Sequence, residues 1–270
     1  MTDLRVTLVQ TSLEWHNPEA NRAALSKKLE PVKGSTDLIV LPEMFTSGFT
    51  SHPEDIEAGS HTVEWLREQA CQLNAAITGS IACHVVGSDS DKGDTNKTYV
   101  NRLLFVTPEG ELQYYDKVHL FRMGGEHKRY QAGEQRCVIS YKGWRLLMTV
   151  CYDLRFPVFC RNTTQEDRYD YDAMVCVANW PESRREHWRT LLKARAIENQ
   201  AFVVGVNRVG VDGNNLSYSG DSLAVDCYGT LLVDETGEWV NTVQLSQKAM
   251  LEYRQKFPVW QDADSFSLEH

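Results

Sequence analysis

Short apolar runs recur along the whole chain and constrain its fold more than any other feature. Leu38–Leu41, Leu146–Tyr152 and Ala201–Val206 are far shorter than the roughly 20 residues that span a bilayer. Each has the length of a buried strand. Polar or helix-patterned stretches separate these runs, and the sequence has no low-complexity linker or internal repeat. It therefore predicts an α/β protein with one domain over residues 1–267 and no membrane segment.

The periodicity of the apolar residues gives expected bounds for the elements. Helices are predicted over Glu19–Glu30, Thr62–Leu73 and Ser183–Asn199. Strands are predicted at Leu4–Gln10, Asp37–Leu41, Ala76–Val86, Tyr99–Thr107, Glu111–Tyr115, Trp144–Val150, Ala173–Ala178 and Ala201–Val206, with Ser222–Asp226 and Thr230–Val233 as the final two. A turn rich in Gly, Asp and Ser joins the third and fourth strands into a hairpin. Because a hairpin is antiparallel, two packed sheets flanked by helices fit better than one doubly wound sheet.

The charge balance and the cysteines limit the partners and the compartment. Acidic residues outnumber basic ones by 37 to 28, which gives a net charge of −9. A large phosphate-neutralising surface is not expected, and nucleic acid is a poor partner. The N-terminus lacks the basic and apolar segments of a secretory signal, and the seven cysteines include no CxxC pair. We therefore expect reduced thiols in a cytoplasmic protein. Residues 268–270 resemble a tail left by cloning.

Sequence signatures for nucleotide and metal binding are missing. Neither a GxGxxG fingerprint after a strand nor a GxxxxGK[ST] loop occurs. The histidines form no HExxH or HxH pair of the kind that helps to build a zinc site. Neither a cofactor nor a metal is therefore expected.

Three reactive side chains come directly after predicted strands. Glu43 follows LIVLP, Lys117 follows ELQYYD and Cys151 follows LLMTV, and sites in sheet-based enzymes gather at strand ends. A thiol with an ordinary pKa of about 8.5 is only slightly ionised at neutral pH, so it needs a base or a positive neighbour. If the three side chains converge, Glu43 takes the thiol proton, Cys151 attacks a carbonyl carbon and Lys117 stabilises the oxyanion. That combination is suited to acyl transfer.

Each of these residues also has a simpler explanation. A cysteine at a strand end is usually a small buried hydrophobe. Glu43 also fits a helix-start acid, and Lys117 fits a solvated surface charge. A redox sensor would need a resolving thiol, for which Cys160 is nearest in sequence. A Cys–His pair is a further rival, with three candidates: His119, His127 and His187.

Three ordered motifs resemble the nitrilase, or carbon-nitrogen hydrolase, superfamily. They are LPEMFTSGF around Glu43, YDKVHLF around Lys117 and VCYDLRFP around Cys151, and the resemblance spans nearly the whole chain. It implies a four-layer α-β-β-α sandwich and a Glu–Lys–Cys triad on these three residues. The segments FRMGGEHKRYQAG, ANWPESRREHW, ARAIENQAFVVGVNRVG and KFPVWQDAD resemble the bacterial ω-amidase branch, which hydrolyses the terminal amide of 2-oxo acids.

The resemblance also implies a second glutamate a short way beyond the lysine, and Glu126 is the match. The alternative for Glu126 is a solvated loop acid, since it follows two glycines and precedes three basic residues. The family usually continues the CYDLRFP segment with a glutamate, whereas this sequence has Val158. That departure leaves the triad intact, and any local role of the usual glutamate is not expected here.

The implied mechanism forms a thioester on Cys151. The thiol attacks the amide carbon, Glu43 relays the proton to the departing ammonia, and water then completes the cycle. The Lys117 ammonium and the backbone N–H of Tyr152 bind the oxyanion. The implied substrates are small 2-oxo acid monoamides, namely 2-oxoglutaramate and 2-oxosuccinamate.

Such a substrate brings a carboxylate to the site, and the planar fork of arginine suits a carboxylate. Asn179 and Trp180 follow a buried strand and are expected to line the pocket mouth, although a turn residue and a packed aromatic explain them equally well. The carboxylate has four candidate anchors: Arg122, Arg155, Arg184 and Arg185.

Two other functions stay open on the sequence alone. The chain fits another carbon-nitrogen hydrolase that acts on a different small amide or a nitrile, because the triad does not set the substrate. It also fits a non-catalytic, metabolite-binding member, although the three reactive residues argue against that. The resemblance implies a homodimer or larger homo-oligomer, in which the aromatic stretch Phe257–Trp260 covers a neighbour or packs on its own subunit.

Overall fold

The computed structural model describes residues 2–53, 59–85, 98–165 and 168–267. Within these ranges, two six-stranded mixed sheets pack face to face, with helices on both outer surfaces. The layers follow the α-β-β-α order that the resemblance implies. In chain order the strands are β1 (Leu4–Gln10), β2 (Leu38–Val40), β3 (Ala76–Val85), β4 (Thr98–Val106), β5 (Leu112–Asp116), β6 (Cys137–Tyr141), β7 (Trp144–Val150), β8 (Thr164–Gln165), β9 (Arg168–Tyr169), β10 (Ala173–Ala178), β11 (Phe202–Asn207), β12 (Val209–Val211), β13 (Ser217–Ser219), β14 (Leu223–Val225), β15 (Leu231–Asp234) and β16 (Trp239–Leu245). The α-helices are α1 (Pro18–Leu29), α2 (Ser60–Leu73), α3 (Pro157–Cys160), α4 (Arg185–Asn199) and α5 (Gln247–Lys256).

The first sheet has the strand order β16-β1-β2-β3-β4-β5. Its three central strands β1, β2 and β3 run parallel, and α1 and α2 provide the long connections that parallel neighbours require. β4 runs antiparallel to β3, and β5 runs antiparallel to β4. The carboxyl ends of β2 and β5 therefore lie at the same edge of the sheet.

The second sheet has the strand order β15-β14-β11-β10-β7-β6. β7, β10 and β11 run parallel at its centre, and β6, β14 and β15 are antiparallel to their neighbours. β7 and β10 are apolar along almost their whole length because both of their faces are covered. Their carboxyl ends point to the same edge of this sheet.

Side chains of the first sheet alternate between two cores, as the period of a strand requires. Leu38 and Val40 face the core between the sheets, whereas Ile39 faces the core under α1 and α2. Full burial of such a side chain contributes about 1.5–3 kcal/mol. The two cores fix the register of β2, because a shift by one residue would exchange its faces.

Local sequence features explain where α1 begins and how closely α4 packs on the second sheet. α1 begins at Pro18, and the side chain of Asn17 accepts a hydrogen bond from the backbone N–H of Ala20. α4 lies on the second sheet over Gly205 of β11, where a Cβ atom would lie 2.5 Å from Leu192 Cδ1. Glycine therefore allows the close approach of α4.

Most predicted bounds agree with the structure to within two residues. β1, β7 and β10 have their predicted bounds, and the helix predicted from Ser183 begins at Arg185 after the 3-10 helix Glu182–Arg184. The third and fourth strands form the predicted antiparallel pair. The turn predicted between them falls mainly on residues 86–97, and that turn and the tail at 268–270 lie outside the described residues.

The prediction that the last strand is Thr230–Val233 is wrong. β16 follows it and pairs with β1 over seven residues. Leu245 is the one buried residue of β16, so this edge strand lacks the apolar alternation that marks a strand in sequence. The patterns also miss α5, β6 and the short pairs β8–β9 and β12–β13.

Candidate active site

Ends of strands from both sheets bring the predicted reactive residues together. Glu43 follows β2, and Lys117 follows β5 at the same edge of the first sheet. Cys151 directly follows β7, and Asn179 directly follows β10, on the second sheet. The site therefore lies between the two sheets, where each sheet contributes part of it.

The Lys117 ammonium lies between two carboxylates. Its Nζ donates to Glu43 Oε1 at 3.0 Å and to Glu126 Oε1 and Oε2 at 3.0 and 2.9 Å. The side chains of all three residues have no solvent exposure. Burial lowers the pKa of Lys117, but the negative charges of Glu126 and Glu43 outweigh burial and hold this pKa well above its usual value. Lys117 is therefore a cation at neutral pH.

Glu126 reaches Lys117 from a tight loop. Gly125 has a φ of +75°, which glycine adopts without strain, and Glu126 follows it. The backbone N–H of Phe121 donates to Glu126 Oε2 at 2.6 Å, and Glu126 N donates to Phe121 O at 3.2 Å. The alternative of a solvated loop acid is wrong, because this side chain is buried against Lys117.

Two asparagines complete the hydrogen bonds of the carboxylates. Asn101 Nδ2 donates to Glu43 Oε1 at 2.8 Å and to Glu126 Oε1 at 3.1 Å. The backbone N–H of Asn179 donates to Glu43 Oε2 at 2.8 Å, and its side-chain amide donates to Glu43 O at 2.6 Å. Sequence reasoning missed Asn101. The one available signal is a polar amide inside the predicted strand Tyr99–Thr107.

Cys151 has an unusual backbone conformation at the end of β7. Its φ is +46°, a region that costs a non-glycine residue about 1–3 kcal/mol. Its Sγ lies 4.0 Å from the carbonyl oxygen of Asn179. Burial and the charge of Glu43 raise the pKa of the thiol well above its usual value, and Lys117 acts in the opposite direction. Cys151 is therefore protonated at neutral pH and needs a base to become a nucleophile.

Tyr152 is the second residue of the 3-10 helix Cys151–Arg155. Backbone N–H groups in the first turn of a helix have no acceptor within the helix. The ring of Tyr152 packs edge-on against Phe121 at a centroid distance of 5.2 Å. Both rings line the pocket in front of Cys151.

The pocket at Cys151 has a volume of about 290 Å³. Sites for drug-sized ligands start at about 300 Å³, so this pocket suits a small molecule. Cys151, Lys117 and Asn179 contribute to it, and Trp180 lies beside them. Trp180 is also a packed residue, because it is buried and its Nε1 donates to Arg184 O at 2.8 Å.

Two of the four candidate arginines line the pocket, namely Arg155 and Arg184. The Arg155 guanidinium stacks on the Trp180 ring at 4.5 Å, and Arg184 lies 5.6 Å from the Phe121 ring. Neither makes an ion pair with a carboxylate in the part of the chain that the structure describes. Burial and the neighbouring charge of Arg184 lower the pKa of Arg155. The pocket therefore holds two arginines that pair with no carboxylate among the described residues.

The other two candidate arginines are not brought to the pocket. Arg122 is exposed, and its side chain does not line the pocket. Arg185 is exposed and pairs with Asp221 at 2.6 Å. The sequence could not separate these four residues, because all of them lie in polar segments near the motifs.

One wall of the pocket comes from a loop that sequence reasoning missed. β12 and β13 form a hairpin that places Leu216 of its loop and Tyr218 of β13 at the pocket. Asp212 holds this loop, because its carboxylate accepts from Leu216 N at 3.0 Å and from Tyr218 Oη at 2.9 Å. No reactive motif marks this segment in the sequence.

The geometry gives little support to a Cys–His pair or a redox sensor at Cys151. His119 binds Asp153, and His187 lies 3.3 Å from Arg155 through its Nδ1. Cys160 is buried, its Sγ donates to the backbone oxygen of Asp153, and burial raises its pKa to about 12. A thiol so weakly ionised is a poor resolving cysteine.

The described residues contain neither a cluster of metal ligands nor a membrane-spanning helix. Over residues 2–53, 59–85, 98–165 and 168–267, no group of three or more His, Cys, Asp or Glu side chains is arranged to hold a metal ion. In the same ranges, no helix is both long and apolar enough to span a bilayer. Val158, where the family usually has glutamate, is half exposed.

The family model for carbon-nitrogen hydrolases matches residues 5–255. The chain belongs to the carbon-nitrogen hydrolase family. This carbon-nitrogen hydrolase is a hydrolase of amide C–N bonds, as the family and its similar relatives show. The matched region contains Glu43, Lys117 and Glu126 and every residue that lines the pocket.

Several relatives of this carbon-nitrogen hydrolase are amidases. The ω-amidase YafV of Escherichia coli (strain K12) is 45% identical, and the match covers 99% of this chain and 100% of the relative. A 2-oxoglutaramate amidase of Paenarthrobacter nicotinovorans is 34% identical, covering 96% of this chain and 89% of the relative. A 2-oxoglutaramate amidase of Bacillus subtilis (strain 168) is 28% identical, covering 95% and 96%.

Solved structures share the fold of this carbon-nitrogen hydrolase. A superfamily protein of Xanthomonas campestris with an arsenic adduct in its active site is 49% identical, with a TM-score of 0.93 and full coverage of both chains. A nitrilase superfamily member of Saccharomyces cerevisiae is 24% identical, with a TM-score of 0.81 and 95% coverage of each chain. The four-layer sandwich predicted from the motifs is confirmed.

Proposed function

We propose that this carbon-nitrogen hydrolase is an ω-amidase. It hydrolyses the terminal amide of 2-oxo acid monoamides, such as 2-oxoglutaramate and 2-oxosuccinamate, to the 2-oxo dicarboxylic acid and ammonia. The observation that carries this proposal is the pair Arg155 and Arg184, two cations without an anionic partner among the described residues, at the mouth of the pocket that contains Cys151. Relatives named ω-amidase and 2-oxoglutaramate amidase support the same substrate class.

The first half of the reaction forms a thioester on Cys151. Glu43 accepts the thiol proton, and Sγ attacks the amide carbon, so that a C–S bond forms. Glu43 then gives the proton to the amide nitrogen, the C–N bond breaks, and ammonia leaves. The three hydrogen bonds that Glu43 accepts from Lys117, Asn101 and Asn179 hold its carboxylate in one orientation for this relay.

The second half of the reaction is hydrolysis of the thioester. Glu43 takes a proton from water as the water oxygen attacks the carbonyl carbon. The proton passes to Sγ as the C–S bond breaks, which restores the thiol and releases the acid. The same carboxylate thus acts as base and acid in each half-reaction.

Lys117 and the backbone N–H of Tyr152 stabilise the oxyanion of both tetrahedral intermediates. The three Nζ contacts to Glu43 and Glu126 already use the protons of the ammonium. Lys117 therefore contributes mainly as a nearby positive charge, or by turning one N–H away from the Glu126 carboxylate. The Tyr152 N–H provides the direct hydrogen bond, a type of contact worth about 10²–10³ in rate.

The two pocket arginines select the carboxylate at the other end of the substrate. A guanidinium presents paired N–H donors that match the two oxygens of a carboxylate. Arg155 is already oriented by its stacking on Trp180, so little side-chain entropy is lost on binding. A neutral amide of the same length lacks this interaction and is expected to bind more weakly.

Ammonia release from four compounds tests the proposal. We expect turnover of 2-oxoglutaramate well above that of glutamine, asparagine and a simple nitrile, and its loss in Cys151→Ala. Arg155→Met is expected to lower kcat/KM for 2-oxoglutaramate by about 10- to 100-fold, the value of a charged hydrogen bond. Arg185→Met is the matched control, because this arginine pairs with Asp221 outside the pocket.

Other outcomes of this assay would point elsewhere. Preferred turnover of the nitrile, or of a neutral amide, would assign the site to a different carbon-nitrogen hydrolase activity. An Arg155→Met variant with an unchanged preference for 2-oxoglutaramate would remove Arg155 from the carboxylate site. Full activity of Cys151→Ala would rule out the thioester mechanism.

A further inference from the structure

One buried carboxylate that the mechanism does not use lies directly behind the site. Asp153 has no solvent exposure and is two residues beyond Cys151. Its Oδ2 accepts from the backbone N–H of Val150 at 2.8 Å, and thereby spans the positive-φ residue Cys151. Asp153 thus ties the residue before the nucleophile to the turn after it.

The same carboxylate also contacts both sides of Lys117. Tyr115, two residues before the lysine, donates its hydroxyl to Asp153 Oδ2 at 2.8 Å. His119, two residues after it, places its backbone N–H 3.0 Å and its Nδ1 2.8 Å from Oδ1. A carboxylate accepts hydrogen bonds only, and it matches all of these donors when His119 carries its proton on Nδ1.

Aromatic packing reinforces the connection between the two segments. The His119 ring stacks on Phe156 at a centroid distance of 3.8 Å and meets Phe159 edge-on at 4.8 Å. The Tyr115 hydroxyl also accepts the backbone N–H of Val118 at 3.1 Å. Because Asp153 joins segments from different sheets, it links the strand end that carries Lys117 to the one that carries Cys151.

We propose that Asp153 is a positioning residue that sets the distance between the Lys117 ammonium and the Cys151 sulfur. It touches neither the substrate nor the reacting atoms, and acts through the backbone on each side of these two residues. The inference rests on the proposed function only in that amide hydrolysis is the reaction whose rate this positioning affects. Misplacement of a catalytic group by about 1 Å can cost roughly 100-fold in rate.

The direction in which the pH of Cys151 ionisation moves separates positioning from a simple charge effect. The titratable and charged groups that act on the thiol include Glu43, Lys117, Cys176, Glu126 and Arg155. Loss of the Asp153 charge alone would make a thiolate easier to form and move ionisation to lower pH. Displacement of Lys117 would remove its stabilising charge and move ionisation to higher pH.

The test compares Asp153→Asn with the parent enzyme. Cys151 alkylation by iodoacetamide is followed across pH through the mass of the peptide that contains this cysteine, and kcat and KM are measured by ammonia release. We expect the alkylation midpoint to rise, kcat to fall by about 10- to 100-fold, and KM to change by less than about 3-fold, because Asp153 does not contact substrate.

Asp37→Asn is the matched control. Asp37 is also a buried aspartate that accepts several hydrogen bonds, from Arg5 and Lys142, but it precedes β2 at the end opposite Glu43. This variant is expected to lower the melting temperature and to leave the alkylation midpoint and kcat unchanged. If Asp153→Asn fails to fold, Tyr115→Phe removes one of the donors and is expected to shift both readouts in the same direction by less.

Two results would overturn the proposal. One is an alkylation midpoint that stays constant or falls in both Asp153→Asn and Tyr115→Phe. The other is a loss of kcat in Asp153→Asn that is no larger than in Asp37→Asn. The alkylation readout needs no substrate, so it decides the role of Asp153 even if the parent enzyme fails to hydrolyse 2-oxoglutaramate. That failure would count against the proposed function alone.

Discussion

Lys117 is the residue on which the buried charges of the site depend. It is the cation between Glu43 and Glu126, and all three side chains are fully buried. A buried ion cluster is not a large source of stability, but removal of one partner leaves the others uncompensated. The cluster is therefore fragile toward substitution at its centre.

Replacement of Lys117 by methionine is expected to destabilise the protein strongly. Two buried carboxylates would lose their counter-ion, which costs about 3–5 kcal/mol in comparable cases. Urea unfolding measures the change in free energy. Lys142→Met is the control, because its pair with Asp37 is 44% exposed on the lysine side, and exposed pairs contribute about 0–1 kcal/mol. Equal losses for the two variants would contradict the assignment of a buried ion cluster.

The packing of α4 on the second sheet requires a residue without a side chain at Gly205. A Cβ on Gly205 would lie 2.5 and 2.7 Å from the two Cδ atoms of Leu192 and 3.0 Å from Trp188 Cζ2. Both residues belong to α4, which begins five residues beyond Trp180. Close contact between β11 and α4 therefore supports the backbone next to the pocket.

Gly205→Ala tests this contact. Overpacking of a well-packed core costs about 1–3 kcal/mol, and we expect a loss of stability in that range by chemical denaturation. Leu192→Ala alone is expected to cost about 2–5 kcal/mol. The double variant should lose less than the sum of the two, because the new Cβ occupies space that the leucine vacates. Strict additivity would show that the two positions do not contact each other.

Apolar side chains remain exposed on the surface around Tyr253 of α5. Tyr228 and Phe257 are each 55% exposed, and both contact the ring of Tyr253, at centroid distances of 4.1 and 6.2 Å. Trp260 is only partly exposed. The aromatic stretch from Phe257 thus packs partly on its own chain and leaves an apolar surface.

The homodimer implied by the family resemblance stays a prediction. Size-exclusion chromatography with light scattering is expected to give the mass of two chains of 30.8 kDa. Phe257→Asp is expected to lower that mass if this aromatic surface lies in the interface, because a buried unpaired carboxylate is costly. A single-chain mass for the parent protein would contradict the homodimer.

The fold class, the bounds of the central strands and the reactive candidates Glu43, Lys117 and Cys151 could all be predicted from the amino-acid sequence. Buried parallel strands such as β7 and β10 consist of apolar runs, and this local signal does not depend on the rest of the fold. The motifs at the strand ends then imply the family. The edge strand β16 carries no such signal, because six of its seven residues are at least partly exposed.

Most contacts between the polar residues of the site could not be predicted from the sequence. Asn101 and Asp153 are brought to the site from different segments, and their spacing in sequence contains no record of the contacts. The family resemblance implied Glu126, but its contact with Lys117 depends on the same packing. The structure likewise separates Arg155 and Arg184, which line the pocket, from similar arginines that do not. Burial and strand periodicity are local properties of a sequence, whereas hydrogen bonds and charge pairs between sheets depend on how distant segments pack.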